Sequence, residues 1–249
     1  MDEYFLTSEI MIINNKIYYD NDDEKIKILN KNWHKYLADL GWRKLSKKWI
    51  KKLNCLSKKK KSGVKWGVRS CGVEGDCLFD SISEAFNYDI YFDNENTKDF
   101  LYDTQFIRNK VSECLNTNNF EHIITIYRIG YLNGDYSNQW NPYSIDTVED
   151  LKKELQKTGE NFIGDHIILE LIMKAFNINI IIIDNTLNYI NQNFNKNRKT
   201  VILYYNYEEE DFKLMGLFDK RIKTIFNFED IPQEIRFLCN IDKSECKEL

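Results

Sequence analysis

The sequence predicts an α/β fold of α+β type: a small central sheet flanked by helices, with a helical N-terminal extension. Three observations carry this reading. "INIIIID" (178–184) is continuously apolar and short, the pattern of a strand buried on both faces. "DHIILELIMKAF" (165–176), with helical spacing, runs straight into it. "VILYY" (201–205) and "FKLMGLF" (212–218) then follow as two strands joined by the acidic loop "NYEEED".

The earlier elements follow in order. Residues 4–19 alternate irregularly and suit a short hairpin with Asn14-Asn15 at its turn. Asn30 or Asn32 can cap a helix beginning near Trp33. Trp42, Leu45, Trp49, Leu53 and Leu56 recur at spacings of 3, 4, 4 and 3, which is one face of a helix. Residues 77–87, 98–115 and 119–132 read as helices, and Thr147 with Asp150 starts another before "VEDLKKEL". "KKKKSG" marks a boundary, giving a basic extension over 1–65, a domain over 66–238 and an acidic tail over 239–249.

With 249 residues, 43% of them apolar, 15 Phe and 15 Tyr, the chain can bury a substantial core, and 2 Pro and 10 Gly leave little for long linkers. No run reaches the roughly 18 apolar residues of a membrane span. The start, "MDEYFLTSEIMII", lacks a basic n-region, so the expectation is an intracellular protein of cytosol or nucleus. The six cysteines form no C-x-x-C pair, and neither a metal nor a cofactor is expected. Cys239 and Cys246 in the tail suggest an intermolecular disulfide under oxidising conditions.

The net charge of −4 conceals a division. Residues 1–70 hold 17 Lys and Arg against 8 acids, or +9; the remainder holds 18 against 31, or −13. Between Arg43 and Lys61 there is no acid. Lys47, Lys48, Lys51 and Lys52, opposite Trp42, Trp49 and Leu53, read as a basic amphipathic arm for nucleic acid, a membrane surface or a protein partner. The plain alternative is a surface helix whose apolar stripe docks on its own domain. A second copy of the chain, with its acidic remainder, is the partner such an arm would favour.

"VEGDCLFDSISEAF" (73–86) carries the chemistry. Cys77 follows an acid-Gly-acid turn of Glu74, Gly75 and Asp76 and opens a helix, where the dipole favours a thiolate and turn N–H groups can face an oxyanion. This segment resembles the nucleophile motif of ovarian-tumour (OTU) cysteine proteases, Asp-Gly-(Asn/Asp)-Cys-Leu-Phe. The 161–184 and 201–218 segments resemble that family's next helix and strand and its closing hairpin, in the family's order. The nearest pattern is that of the OTU proteins of large DNA viruses. The resemblance spans roughly 66–238 and implies a papain-like OTU fold, hydrolysis of ubiquitin conjugates, and Cys77 as nucleophile.

Two positions depart from the family pattern. Glu74 stands where Asp is usual, and Asp211 stands where the general-base His opens the last strand. A carboxylate of pKa about 3.9 is too weak a base toward a thiol of about 8.5, and its charge raises the thiol further. Of the three histidines, His34 lies in the extension, and His122 and His166 lie off the motif position. Asp165 and Asp184 could orient a base, but none stands at the matching site. The expectation is a catalytically inactive OTU-like protein of viral type. Its use would be as a self-assembling coat or occlusion-body matrix, or as a module binding ubiquitin or another protein. The alternative is an active deubiquitinase with Cys77 and a rewired base.

Overall fold

The computed structural model describes residues 3–21, 24–57, 63–72, 75–92, 101–135, 140–191, 193–219 and 221–242. Glu74, Cys246 and Lys58 to Lys61 lie outside them.

The chain begins with a four-stranded antiparallel meander of β1 (Glu3–Phe5), β2 (Ile10–Ile13), β3 (Lys16–Asp20) and β4 (Lys25–Lys27). Asn14 and Asn15 both take positive φ, 49° and 60°, as a two-residue hairpin with right-handed strand twist requires. The expected hairpin is thus the middle of a larger sheet. A single helical turn, α1 (Trp33–Tyr36), leads to β5 (Trp42–Lys44), α2 (Lys47–Leu56) and β6 (Trp66–Ser70).

Five helices follow: α3 (Cys77–Phe92), α4 (Thr104–Ser112), α5 (Thr117–Asn133), α6 (Val148–Leu155) and α7 (Leu169–Phe176). Thr147 and Asp150 form the expected capping box at α6. Asn177, left-handed at φ 50°, ends α7 and turns the chain directly into β7 (Ile178–Asp184). The rest is β8 (Tyr189–Asn191), β9 (Lys199–Asn206), β10 (Asp211–Asp219), β11 (Arg221–Lys223), β12 (Ile225–Phe226) and α8 (Gln233–Leu238).

The main sheet runs β5-β6-β10-β9-β7-β8, with β7 and β9 parallel and the other neighbours antiparallel; β11 and β12 add to β10 and β9. Alternation along the strands divides the core. Ile180, Ile182, Leu203 and Leu214 face α3, while Ile181, Ile183, Ile202 and Met215 face α2 and α8. All seven residues of β7 are buried because both faces are covered. No helix among the described residues is long and apolar enough to cross a membrane.

The structure corrects the reading of the basic arm. The stripe is not a single helical face and is not available to a partner. Trp42 lies on β5, fully buried on the α3 side, and donates from Nε1 to the Tyr88 hydroxyl at 2.9 Å. Trp49 and Leu53 are fully buried on the other side. Strand pairing with β6 overrides the helical spacing at Trp42, and Ser46 restarts the helix by accepting the Trp49 N–H. Lys47, Lys48 and Lys51 stay exposed, but Lys52 lies over the Trp49 ring and donates to the Leu187 carbonyl at 2.6 Å.

The boundary at residue 65 is no break in the fold, since β5 and β6 pair across it. Nor is the tail free from residue 239. Cys239 and Ile241 are buried beneath the sheet with α8, so Cys239 cannot reach another chain for a disulfide.

Candidate functional site

Cys77 is the first residue of α3, held by a turn that sequence-distant residues build. Gly75 has φ +87°, and a Cβ there would lie 2.1 Å from the Gly159 carbonyl oxygen, so only glycine fits. The Gly164 N–H donates to the Gly75 carbonyl at 3.1 Å. The 159–164 segment is therefore a wall against which the turn is cast.

The side chain of Asp76 does not face the thiol. It is buried, and its Oδ1 accepts from Nε and Nη2 of Arg108 at 2.8 and 2.5 Å, while Oδ2 accepts from the Gly159 N–H at 2.7 Å. Arg108 on α4 is fully buried and also donates to the carbonyls of Leu155, Gly75 and Phe162. Its guanidinium sits 4.0 Å from the Phe79 ring centroid. A fork with fixed donor geometry thus ties the nucleophile turn to three later segments. Among the described residues, the turn thus offers an oxyanion its backbone and not the Asp76 side chain. Arg108 was missed in the sequence, although an arginine beside Ile107 and Val111 on a core-facing stripe was the signal.

The structure brings Asp211 to Cys77. Asp211 opens β10 opposite Asn206, and its carboxylate accepts a hydrogen bond from the thiol. α3 and β10 are also tied by Ser81, whose hydroxyl donates to the Phe212 carbonyl at 3.3 Å. Burial pushes the Cys77 thiol up to about 12; backbone hydrogen bonds from Phe212 and Leu78 pull the other way, and the Asp211 charge adds to the rise. Burial also raises Asp211, against the hydrogen bond from Cys77 and the ammonium of Lys213 at 3.7 Å. The proton therefore stays on sulfur at neutral pH, shared toward a carboxylate that cannot accept it fully.

The remaining polar residues are used locally. Asp165 accepts from the Ile167 and Ile168 N–H groups and from the Tyr127 hydroxyl. Asp184 accepts from the Thr186 N–H and hydroxyl and from the Asn188 N–H. Neither is spent on a base at the Cys77 position. His122 is exposed on α5, and His166 is exposed beside the site.

Above Cys77 opens a cleft of about 880 Å³. Glu160, Asp165, Glu209, Glu210 and Asp211 line it against the imidazole of His166, with Trp140, Tyr205 and Tyr207 as aromatic wall. No lysine or arginine among the described residues lines it. Its described lining is acidic and aromatic. Among the described residues no group of three or more His, Cys, Asp or Glu is placed to hold a metal ion.

The sheet's far side braces the cleft. Trp49 Nε1 donates to the Asp184 carbonyl at 2.6 Å, and Asn185 donates to Asn206 Oδ1 at 2.8 Å and accepts from the Tyr207 N–H. The hairpin turn that delivers Asp211 is thereby linked to α2.

The buried thiols set an alkaline limit on stability. Cys71, Cys77 and Cys239 are each pushed from 9.0 up to about 12, burial first. The folded state holds these protons more tightly than the unfolded chain does. Their contribution is therefore complete below about pH 9 and is lost as pH rises toward about 12. The urea midpoint is expected to fall across that window. A midpoint that stays level there would mean that the thiols ionise freely in the folded chain.

No protein-family model matches the chain, and no curated protein matches it. Among solved structures it is similar to an ovarian-tumour (OTU) domain in complex with ubiquitin, with 14% identity and a TM-score of 0.42 over 75% of this chain and 92% of that one. It is similar to an OTU deubiquitinase from Wolbachia pipientis wMel, with 12% identity and a TM-score of 0.40 over 70% of this chain and 96% of that one. The viral OTU domain protease from Dera Ghazi Khan virus aligns with 14% identity and a TM-score of 0.36, over 63% and 81% of the two chains.

Proposed function

We propose that the chain is a non-hydrolysing OTU-like protein, of the type carried by large DNA viruses, whose cleft holds the tail of ubiquitin or a ubiquitin-like protein. One observation carries the silent half of this reading: the residue hydrogen-bonded to Cys77 is the carboxylate of Asp211, and the thiol stands at about 12. Activation of a cysteine needs a thiolate paired with a cation, and here the pairing has the wrong sign. The binding half rests on the cleft, whose acidic and aromatic walls suit a basic extended segment. A coat or matrix role loses one of its supports, because the apolar stripe meant for a neighbour is inside the chain's own core; the charge division between residues 1–70 and the remainder still favours it.

His166 supports a second reading, an active protease with a displaced base, since it lines the same cleft as Cys77. Ubiquitin carrying an electrophile at its C-terminus separates the two. The expected result is reversible binding, no adduct on Cys77 and no cleavage of ubiquitin chains. An adduct, or cleavage that disappears in Cys77→Ala, would establish the active enzyme. Absence of any binding would remove the ubiquitin-holding role.

A further inference from the structure

We infer that the outward face of α2, with Arg43 of β5, is a binding surface for the phosphate backbone of a nucleic acid. Lys47, Lys48 and Lys51 are all exposed there, and Arg43 is exposed on the neighbouring strand; Lys44 shares the other sheet face with Trp42. None of these four forms an ion pair among the described residues. Elsewhere the lysines at 25, 65, 110, 152, 157, 199, 213 and 223 each meet a carboxylate. The chain has 39 Asp and Glu, yet sets none between residues 43 and 61.

Local energetics oppose this arrangement. Lys47 and Lys48 occupy the first turn of α2, which holds no acid, so two cations sit at the positive end of the helix dipole. A sequence that violates a local preference with charges left unpaired marks a place where charge has another use.

The choice of polyanion follows from what else the face presents. An amphipathic helix enters a bilayer with its apolar side, but Trp49 and Leu53 are fully buried under the sheet. Protein partners are held by buried aromatic or aliphatic anchors, and the exposed residues of α2 itself are Lys47, Lys48, Lys51 and Cys55. What remains is a row of cations, which is what a phosphate backbone takes up by counterion release. Contacts to phosphates carry no sequence information, so the binding is expected to be independent of sequence. The surface lies on the sheet face opposite α3, so a bound strand does not meet the acidic cleft.

The test is anisotropy of a fluorescein-labelled DNA duplex and of a single-stranded RNA, titrated with the full chain at several salt concentrations. Binding is expected to weaken with salt, with a log–log slope of about −4 for four cations on a duplex. The triple variant Lys47→Glu/Lys48→Glu/Lys51→Glu should weaken it by at least about 10-fold. Acids in the first turn suit the helix dipole, so this variant should fold, and a thermal melt checks it. If it does not, Lys47→Gln/Lys48→Gln/Lys51→Gln serves with the same expected direction. Lys110→Gln/Lys152→Gln, whose ammonium groups already meet carboxylates, should leave the affinity unchanged. Absence of binding to both probes at low salt would overturn the inference, as would equal affinity in a folded triple variant. So would loss, in that variant, of binding to anionic lipid vesicles or of self-association when neither nucleic acid binds.

Discussion

Asp211→His is expected to raise the alkylation rate of Cys77 by iodoacetamide near neutral pH by about 10²-fold. A thiol held at about 12 is ionised in only a minute fraction of molecules at that pH. The substitution removes the acceptor that holds the proton on sulfur and the charge that repels the thiolate, and it supplies an imidazole that can become a cation. Burial remains, and it keeps the gain below what an exposed cysteine would show. Asp211→Asn, which removes only the charge, should give a smaller rise of about 10-fold. Peptide-resolved mass spectrometry after timed alkylation measures both, with buried Cys71 as the internal reference. An unchanged rate at Cys77 in a folded Asp211→His variant would mean that the hairpin does not govern the thiol.

Arg108→Met is expected to cost about 3–5 kcal/mol of folding stability, read from urea unfolding. The substitution leaves the buried Asp76 carboxylate without its partner and strips donors from the carbonyls of Gly75, Leu155 and Phe162. Arg108→Lys should recover little, because one ammonium cannot span the acceptors that a planar fork reaches. Pairing Arg108→Met with Asp76→Asn should recover part of the loss, since the uncompensated charge is then gone. A loss of less than about 1 kcal/mol in the single variant would show that water already reaches the pair.

The sheet and its helices were legible because their patterns are local. "INIIIID" is a strand from Ile178 to Asp184 as its composition requires, and the Thr147–Asp150 box fixes the start of α6. Cys77 was legible because a tight turn and a helix start leave a signature within five residues. The meeting of Asp211 and Cys77 was legible only through the family resemblance, since 134 residues separate them and no periodicity links them. Arg108 was hidden because its partners at 75, 76, 155 and 162 come together only in the folded chain. Trp42 misled because a strand and a helix both bury an aromatic there, and the arbiter, pairing of β5 with β6, is tertiary.

That pairing also decides how the sheet ends. The outermost strands of the β5-β6-β10-β9-β7-β8 sheet are β5 and β8, each three residues long, and Arg43 and Lys44 of β5 are exposed. Such short borders offer few free N–H and C=O groups in register, which disfavours lengthening of the sheet by an added strand. Without its first 65 residues the chain would present β6 as a five-residue open border beside an uncovered apolar face, the template on which strands of other molecules stack. The N-terminal segment thus covers both that border and that face.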